Sequence, residues 1–509
     1  MTAPAPPAGS TAAPPTTASA AGHGSPAGTP AARPAPPGSF GAFVAAARHA
    51  GRLVVQPRMG MSDPRAMRAG LAATRAADAT TVGTVTLDSY TRVGDQTAAR
   101  RALADGVPLN GYPLVTYDTA VTRSVLHGIQ DHAFPVQVRH GSATPQDIVT
   151  ALLLAGLDAT EGGPVSYCLP YGRTPLTVSV ENWARSCELL ARARDHGAEP
   201  HLETFGGCMM GQLCPPGLLV ALSVLEALFF AQHGLRSVSL SYAQQTDPAQ
   251  DEEALHALRR LAEELLPGLD WHIVVYTYMG VYPRTPGGAR LLLEESARLA
   301  VRTGAARLIV KTAAEAHRIP TVPENVAALE AAARAAEAET ARRLPAATGP
   351  TAPGPAACHP TAPGPTPLRA AAGGPAPGPV ADTGIHAEAS ALVQAVLELS
   401  SDLGRALPRA FARGYLDVPF CLHPDNAQRS RSYLDTDGRL RWSAVGGMPL
   451  GGVVELARAP RLTSGGLLTA LRHVERRADA AALDPSPAHR PLDDGHRPPA
   501  REAHSEEGR

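Results

Sequence analysis

The feature that most constrains the fold is an alternation between short apolar runs and longer amphipathic stretches, which continues from residue 40 to residue 340. Strands that alternate with helices are typical of a parallel sheet, because each helix returns the chain to the edge at which strands begin. The number of repeats favours a (β/α)8 barrel over an open sheet. We therefore predict an α/β protein with a (β/α)8 TIM barrel over residues 40–343.

Nine runs in the barrel region have the composition of strands, one more than the barrel needs. They are Leu53–Arg58, Val82–Asp88, Val107–Asn110, Pro135–His140, Pro164–Cys168, His201–Phe205, Ser237–Tyr242, Trp271–Tyr278 and Leu308–Lys311. Helices are predicted between them, for example at Gln146–Gly156, Val180–His196, Glu252–Leu265 and Ala289–Thr303. The pattern alone does not indicate which of the nine strands lies outside the barrel.

Segments rich in Pro, Gly and Ala flank and interrupt the regions that can fold. Residues 1–39 and 344–385 are poor in the large apolar residues that form a core, so we predict a disordered N-terminal extension and a flexible Pro-rich linker. Residues 386–476 are predicted to form a small α+β C-terminal region. Residues 477–509 are charged and Pro-rich, and we predict a disordered tail there.

Charge and cysteine content exclude several classes of function. The 46 basic and 47 acidic residues lack the basic surplus that is typical of proteins binding nucleic acids or anionic membranes. Six cysteines without a Cys-x-x-Cys pair indicate neither a disulfide scaffold nor a thiolate metal site. The longest apolar run, Gly217–Gly234, is too short and too polar for a membrane span and is predicted to be a buried helix. We expect a cytoplasmic protein.

Arginine occurs at three corresponding positions, at or just after the ends of predicted strands: Arg58, Arg92 and Arg139. The strand ends of such a barrel meet at one mouth, where barrel active sites lie. A single surface arginine is usually only solvated. Three at one mouth suggest a dicarboxylate or phosphate ligand, because a guanidinium group binds planar anions through two hydrogen bonds.

A carboxylate, Glu161, is predicted at the same mouth, just before the strand candidate Pro164–Cys168. Neighbouring positive charge would keep it ionised, so it could accept hydrogen bonds from a substrate ammonium group or move a proton. Arginines for carboxylates and Glu161 for an amine together describe an acidic amino acid. The alternative is that Glu161 only pairs with an arginine.

The only lysine of the chain, Lys311, ends the last predicted strand. Lys311 and Glu315 could form an ordinary ion pair at the start of a helix, or they could hold polar atoms of a ligand at the barrel mouth. A lysine at a strand end also permits Schiff-base chemistry, which requires a desolvated amine with a lowered pKa. The sequence pattern leaves these three roles open.

The sequence resembles the large (epsilon) subunit of adenosylcobalamin-dependent glutamate mutase, also called methylaspartate mutase. The resemblance extends over about residues 50–325 and is densest in Leu109-Asn-Gly-Tyr-Pro113, Gln137-Val-Arg-His-Gly141, Glu161-Gly-Gly163, Tyr167 to Tyr171 and Lys311-Thr-Ala-Ala-Glu315. Several motifs in the same order are more specific than any single one. The resemblance implies a (β/α)8 isomerase that interconverts L-glutamate and (2S,3S)-3-methylaspartate by a radical mechanism, with adenosylcobalamin as cofactor.

The resemblance also implies roles for individual residues. Arg58, Arg92 and Arg139 match the positions that bind the substrate carboxylates. Glu161 matches the catalytic carboxylate that faces the substrate amino group. Further substrate contacts are implied for Tyr167 and Tyr171. The positions implied to line adenosylcobalamin are Gly60, Asn110, Pro170, Tyr282, Lys311, Glu315 and Ile319.

The chain lacks the Asp-x-His-x-x-Gly motif with which cobalamin-binding domains of this superfamily ligate cobalt. The nearest match, Asp270-Trp-His272, has Val275 in place of the glycine. The resemblance therefore implies a separate small cobalamin-binding subunit, and it suggests a dimer of large subunits. Tyr276 stands where the family is expected to have histidine. The alternatives are a cobalamin-dependent mutase for another dicarboxylate and a degenerate, non-catalytic barrel partner.

Overall fold

The structure is a computed structural model that describes residues 39–170, 172–209, 213–343, 382–456 and 462–483. Its centre is a sheet of eight parallel strands in which β2 to β8 pair in sequence order and β1 pairs with β8. The strands are β1 (Val54–Gln56), β2 (Gly83–Thr86), β3 (Val136–Arg139), β4 (Ala159–Gly162), β5 (His201–Thr204), β6 (Ser237–Ala243), β7 (Asp270–Tyr276) and β8 (Arg307–Ile309).

The sheet closes between β1 and β2. Val55 forms a parallel bridge with Thr81, and its backbone N–H donates to the carbonyl of Thr80 at 2.9 Å. The eight strands therefore form a closed ring, and the predicted (β/α)8 barrel is confirmed. In such a barrel all strands end at the same face, so the residues that follow each strand share one mouth.

Two of the nine strand predictions are wrong. Val107–Asn110 is an irregular, partly exposed segment, and Pro164–Cys168 is a turn. The fourth strand is instead Ala159–Gly162, so Glu161 lies inside a strand and not before one. This strand reads Ala-Thr-Glu-Gly and is buried at all four positions. A search for apolar runs overlooks a strand that buries polar residues.

Helices surround the barrel and continue beyond it. Those of the barrel region are α1 (Phe40–His49), α2 (Pro64–Ala76), α3 (Ser89–Val93), α4 (Gln96–Ala104), α5 (Thr119–Leu126), α6 (Gln146–Ala155), α7 (Leu176–Ala191), α8 (Pro216–Gln232), α9 (Pro248–Leu265), α10 (Pro286–Thr303) and α11 (Val322–Arg343). The C-terminal region contains α12 (Ile385–Leu399), α13 (Leu403–Arg413), β9 (Arg431–Leu434), β10 (Leu440–Ala444), α14 (Ser464–Leu471) and α15 (His473–Leu483).

Three of the barrel helices, α2, α9 and α10, begin with the same local signal. Asp63, Asp247 and Thr285 each accept a hydrogen bond from a backbone N–H of the first turn. Proline follows each of them, at a position where its missing N–H costs nothing. Helix α10 ends at Gly304, whose φ of 68° is a left-handed conformation that glycine adopts easily. These signals are local, but the amphipathic pattern alone begins the predicted helices later, at Glu252 instead of Pro248 and at Ala289 instead of Pro286.

The hydrophobic core lies mainly between the strands and the surrounding helices. Helix α8 is buried along almost its whole length, because α12 and α13 of the C-terminal region cover the side that faces away from the barrel. A helix that is apolar all round needs such a second layer. The predicted buried helix at Gly217–Gly234 is therefore confirmed. Among the residues that the structure describes, no helix is long and apolar enough to cross a membrane.

The barrel axis itself is polar, whereas branched aliphatic residues usually fill such barrels. The side chain of Arg307 is fully buried there, forms an ion pair with Glu203, and donates to Ser239 at 3.0 Å. The ring of His201 bridges the hydroxyl groups of Ser237 and Ser239 at 2.9 and 3.0 Å. Aliphatic residues thus fill the outer layer of the core, while a hydrogen-bonded network fills the inside of the barrel.

The C-terminal region combines helices with an antiparallel hairpin of β9 and β10, as the predicted α+β class requires. Helix α15 packs on α10, where the carboxylate of Asp479 accepts the backbone N–H of Thr285 at 3.0 Å. Because α15 continues to Leu483, residues 477–483 of the predicted disordered tail are helical. The predicted N-terminal extension and linker lie, except for their last residues, outside the described part of the chain.

Candidate functional site

Five of the predicted site residues lie at the carboxyl ends of barrel strands. Arg58 follows β1, Arg92 lies in the short helix α3 after β2, and Arg139 is the last residue of β3. Glu161 lies in β4, and Lys311 comes two residues after β8. Because parallel strands end at one face, these side chains emerge at the same mouth, as the sequence predicted. Within that mouth they form two separate clusters.

The first cluster surrounds Glu161, and we call it the Glu161 cluster. Glu161 accepts a hydrogen bond from the hydroxyl of Tyr167 and another from the hydroxyl of Tyr276 at 2.9 Å. It also forms an ion pair with Nη2 of Arg139 at 3.0 Å. The hydroxyl of Tyr276 in addition contacts Glu203 of the barrel interior. All five residues are buried, so water screens their charges little.

One guanidinium nitrogen of Arg139 has no hydrogen-bond partner in the described chain. Its Nη2 pairs with Glu161, and its guanidinium carbon lies 5.0 Å from the centre of the Tyr276 ring. Nη1 is buried and has no hydrogen-bond partner among the described residues. Burial opposes the charge of Arg139, but Glu161 together with Tyr276 and Glu203 outweighs it and holds the pKa of Arg139 above the ordinary value. A buried, charged donor without an acceptor is costly, so Nη1 indicates a site for an anion.

The two buried carboxyl groups differ in their tendency to take up a proton. Burial raises the pKa of Glu161, and the charge of Glu203 adds to this, whereas Arg139 opposes it. The pKa of Glu203 is lowered despite burial, because Arg307 and Arg139 both favour its anion. Glu161 is therefore the carboxyl group suited to proton exchange. The prediction that arginines keep Glu161 ionised does not include burial and the charge of Glu203, which both raise the pKa of Glu161.

His140 belongs to the same mouth, although sequence analysis did not single it out. Its ring stacks on Trp183 at 5.8 Å, and its Nδ1 accepts the backbone N–H of Ser142 at 3.1 Å. The proton must then sit on Nε2, which is buried and has no partner among the described residues. Burial, together with the charges of Arg92 and Arg139, lowers the pKa of His140 to about 3. His140 is thus a neutral donor beside two arginines.

Arg92 approaches this group from α3. A Cβ atom added to Gly141 would lie 2.9 Å from Cδ of Arg92, so the arginine packs directly over the backbone at Gly141. The charge of Arg92 also acts on His140. Glycine at 141 therefore leaves room for the arginine side chain. The position of His140 and Gly141 directly after Arg139 is the one sequence signal that could have identified this group.

The second cluster, which we call the Lys311 cluster, lies after β1, β7 and β8. Nη1 of Arg58 pairs with Oε2 of Glu315 at 3.0 Å. Nζ of Lys311 lies 4.2 Å from the centre of the Tyr282 ring and donates to the backbone carbonyl of Tyr278 at 3.3 Å. The hydroxyl of Tyr282 is buried and has no hydrogen-bond partner in the described parts of the chain.

The ion pair that sequence allowed between Lys311 and Glu315 is not among the ion pairs of the described residues; Glu315 pairs with Arg58. Burial lowers the pKa of Lys311 to about 8, with Glu315 opposing the change and Arg58 adding to it. The ammonium group is thus present at neutral pH and is lost as the pH rises through about 8. Arg58, predicted for a substrate carboxylate, lies here among residues that were predicted to line a cofactor.

Other predicted positions line the same mouth. Gly60 packs so closely on β2 that an added Cβ atom would lie 2.1 Å from the carbonyl oxygen of Thr86. The side-chain oxygen of Asn110 accepts the backbone N–H of Ser89 at 2.9 Å and thereby fixes the loop after β2. Ile319, after β8, exposes 62% of its surface.

The loop after β4 carries three of the predicted residues. Tyr167 is buried against Glu161 and packs on the ring of Phe205 at 5.1 Å. Pro170 is partly buried. Tyr171, for which a substrate contact was predicted, lies outside the described residues.

Fold and site together define a (β/α)8-barrel protein whose mouth combines a buried, partly unpaired guanidinium with a buried carboxyl group. Comparison with known proteins gives the family. The model of the "Methylaspartate mutase E chain (MutE)" family matches residues 36–348 and 381–467. The chain belongs to this family.

Curated relatives are similar over most of their length. The glutamate mutase epsilon subunit of Escherichia coli O157:H7 is 27% identical over 380 residues, which cover 72% of each chain. That of Halobacterium salinarum is 28% identical over 373 residues, covering 72% of this chain and 71% of the relative. Among solved structures, a putative phosphonomutase from Burkholderia cenocepacia J2315 has a TM-score of 0.29 at 17% identity over 52% of this chain and 90% of that chain, which is too low to support an argument.

Proposed function

We propose that this chain is the large, substrate-binding subunit of a glutamate mutase, an isomerase that interconverts L-glutamate and (2S,3S)-3-methylaspartate. The observation that carries the proposal is the pair of Arg139 and Glu161. A buried guanidinium with an unoccupied nitrogen lies beside a buried carboxyl group suited to proton exchange. An acidic amino acid offers a carboxylate to the first and an amino group to the second. Family membership supports the type of reaction.

The substrate carboxylates would be bound by donors that lack acceptors in the described chain. Nη1 of Arg139 and Nε2–H of His140 are both buried and unpaired there, and Arg92 adds a positive charge beside them. Charge-assisted hydrogen bonds of this kind are strong and directional. Arg58 would serve the other carboxylate and would then share or exchange its present partner Glu315.

Glu161 is the proposed catalytic residue, and it would hold the substrate amino group. Tyr167 and Tyr276 fix the orientation of its carboxyl group, and its raised pKa suits proton exchange with an amine. Ionic contacts at both ends of the substrate would keep its fragments in place during rearrangement. Burial of the whole Glu161 cluster excludes the water that would quench reactive species. Tyr171 remains a proposed substrate contact.

Adenosylcobalamin is the proposed cofactor, and when bound it supplies hydrogen-atom transfer through radical chemistry. The Lys311 cluster suits a large polar ligand, because among the described residues the buried hydroxyl of Tyr282 has no partner and the ammonium of Lys311 donates to one backbone carbonyl. The residues proposed to line the cofactor are Gly60, Asn110, Pro170, Tyr282, Lys311, Glu315 and Ile319.

We further propose that a separate small subunit binds the cobalamin and that the large subunits form a dimer. The relatives are named epsilon subunits, which supports an enzyme of several subunits. The ring of His272, in the nearest match to a cobalt-binding motif, is buried in the barrel and stacks on His201 at 5.1 Å. It is therefore not accessible to a cobalt ion. A cytoplasmic location remains our expectation.

The proposal is tested by turnover. The purified chain is mixed anaerobically with a glutamate mutase small subunit, adenosylcobalamin and 13C-labelled L-glutamate, and the carbon skeleton is followed by NMR. We expect labelled 3-methylaspartate. Cofactor binding without this product, with the cognate small subunit present, would contradict the proposal and favour a mutase for another dicarboxylate. Neither binding nor product under those conditions would favour a non-catalytic barrel.

A further inference from the structure

Helix α8 contains one charged residue, Glu226, in an otherwise uncharged and buried helix. Its side chain has no exposed surface, and it is not part of either cluster at the mouth. An ionised carboxylate in such a place is expensive unless hydrogen-bond donors surround it.

The hydrogen bonds that the Glu226 carboxylate accepts from described residues come from two loops at the barrel mouth. Oε1 accepts the backbone N–H groups of Val165 at 3.3 Å and Ser166 at 2.9 Å. Oε2 accepts the hydroxyl of Ser166 at 3.0 Å and the backbone N–H groups of Phe205 at 3.2 Å and Gly206 at 2.8 Å. The first loop follows β4 and the second follows β5, so one carboxylate ties two loops together.

These loops carry side chains of the Glu161 cluster and its surroundings. Tyr167, the residue after Ser166, donates its hydroxyl hydrogen to Glu161. Phe205 packs against Tyr167 with ring centres 5.1 Å apart, and against Tyr276 at 5.6 Å. Tyr167 and Tyr276 are the two tyrosines that orient the Glu161 carboxyl group. A shift of either loop would therefore move a hydrogen-bond donor of Glu161.

The loops after β4 and β5 pack closely against α8. A Cβ atom added to Gly163 would lie 2.0 Å from Oε1 of Glu226. One added to Gly206 would lie 2.7 Å from the backbone of α8 at Leu222 and Ser223. Glycine at these positions thus allows the loops to reach the carboxylate and the helix.

We propose that Glu226 is a positioning residue, which holds the loops after β4 and β5 so that Tyr167 and Phe205 orient Glu161 toward the substrate amino group. This inference rests on the proposed function for its effect on glutamate, but the contact itself does not depend on it. A carboxylate suits position 226 because both of its oxygens accept hydrogen bonds. An amide would replace one acceptor by a donor that faces other donors.

The test compares Glu226→Gln with the wild-type chain in the enzyme assembled with its small subunit and adenosylcobalamin. We expect KM for L-glutamate to rise roughly tenfold, as the loss of about 1.4 kcal/mol of binding would produce. The cofactor concentration for half saturation should not change. A purely structural defect would lower the active fraction, and so kcat, at unchanged KM. Unchanged KM in a folded variant would overturn the proposal.

Hydrogen exchange of the large subunit gives a second readout that needs no turnover. Glu226→Gln should speed exchange in peptides that cover 163–168 and 204–208, because their amides lose a buried acceptor. The matched control is Asp251→Asn. Asp251 is also buried and accepts the backbone N–H of Gln245 at 2.9 Å, in the loop after β6. The control should affect only that loop. Unchanged exchange at 163–168 in Glu226→Gln would also overturn the proposal.

Gly163→Ala retains Glu226 and displaces its carboxylate by steric contact with the added methyl group. This variant provides the test if Glu226→Gln does not fold. We expect it to produce the same local increase in exchange and the same rise in KM. If the wild-type enzyme does not act on glutamate, the proposed function fails, but the exchange measurements still decide the role of Glu226. Normal exchange and normal KM in Gly163→Ala would refute that role.

Discussion

Replacement of Arg139 by lysine tests the proposed anion site, because it keeps the positive charge and removes the two terminal guanidinium nitrogens that can bind two partners at once. In the wild type, Nη2 pairs with Glu161 at 3.0 Å and Nη1 has no partner among the described residues. A lysine has one nitrogen at the end of a flexible chain. It can keep the ion pair with Glu161 or bind the substrate carboxylate, but it cannot do both in the present geometry.

The expected loss of transition-state stabilisation is that of one charge-assisted hydrogen bond, which contributes about 1.5–3 kcal/mol. Since about 1.4 kcal/mol corresponds to a factor of ten, kcat/KM for L-glutamate should fall about 10- to 150-fold. The folded state should survive, because the buried carboxyl group of Glu161 keeps a cation beside it. Loss of the cation altogether, as in Arg139→Ala, would cost about 3–5 kcal/mol of stability.

The assay is the steady-state rate of 3-methylaspartate formation by the assembled enzyme, with thermal unfolding of the large subunit measured in parallel. Arg439→Lys is the matched control. Arg439 is also largely buried and pairs with Glu253 at 3.2 Å, and neither residue belongs to the two clusters at the barrel mouth. It should leave kcat/KM within about twofold. A kcat/KM of Arg139→Lys within threefold of the wild type would refute the role of Nη1.

Three further predictions concern single residues. Glu161→Gln should lower kcat at least about 100-fold while the affinity for adenosylcobalamin stays the same, because an amide cannot exchange the proton; an equal loss of cofactor affinity would make Glu161 structural. Because the pKa of Lys311 is about 8, cofactor affinity measured by spectral titration should fall as the pH rises from 7 to 9, and it should not depend on pH in Lys311→Gln; a flat wild-type curve would contradict this. His140→Phe should raise KM for glutamate roughly tenfold without changing the pH profile between 5 and 8, because a ring with a pKa of about 3 is already neutral there; a pH break that disappears in the variant would contradict it.

The positions of the strand-end residues could be predicted from the sequence because they follow from topology. Once the alternation indicates a parallel barrel, Arg58, Arg139 and Lys311 must lie at one mouth. The last residues of α9 and α10, Leu265 and Thr303, agree with the prediction, but both helices begin earlier than predicted, at Pro248 and Pro286, because the prediction followed the amphipathic pattern and not the capping residues. The class of ligand followed from the same positions. These inferences need only the order of elements and not the contacts between them.

Contacts across the barrel could not be predicted in the same way. The strand Ala159–Gly162 was missed because its burial depends on partners from distant strands, among them Tyr276 and Arg139. The network of Glu203 and Arg307 was missed for the same reason, since the two residues are 104 positions apart. Buried polar residues look like surface residues in a sequence until their partners are known.

The resemblance to a known family and the structure both draw attention to Arg139 and Glu161, whereas they place Arg58 differently. Only the resemblance points to cobalamin, whereas the geometry points to an acidic amino acid at the Glu161 cluster. Tyr276 connects the two, because it occupies the position at which histidine was expected and it binds Glu161 directly. The change at this position therefore acts on the carboxyl group that we propose to hold the substrate amine.

A crystal structure of the assembled enzyme with L-glutamate bound would test the central claim most directly. Our account predicts a substrate carboxylate oxygen within hydrogen-bond distance of Nη1 of Arg139, and the amino nitrogen within the same distance of Glu161. Glutamate bound elsewhere, or with its amino group away from Glu161, would contradict it.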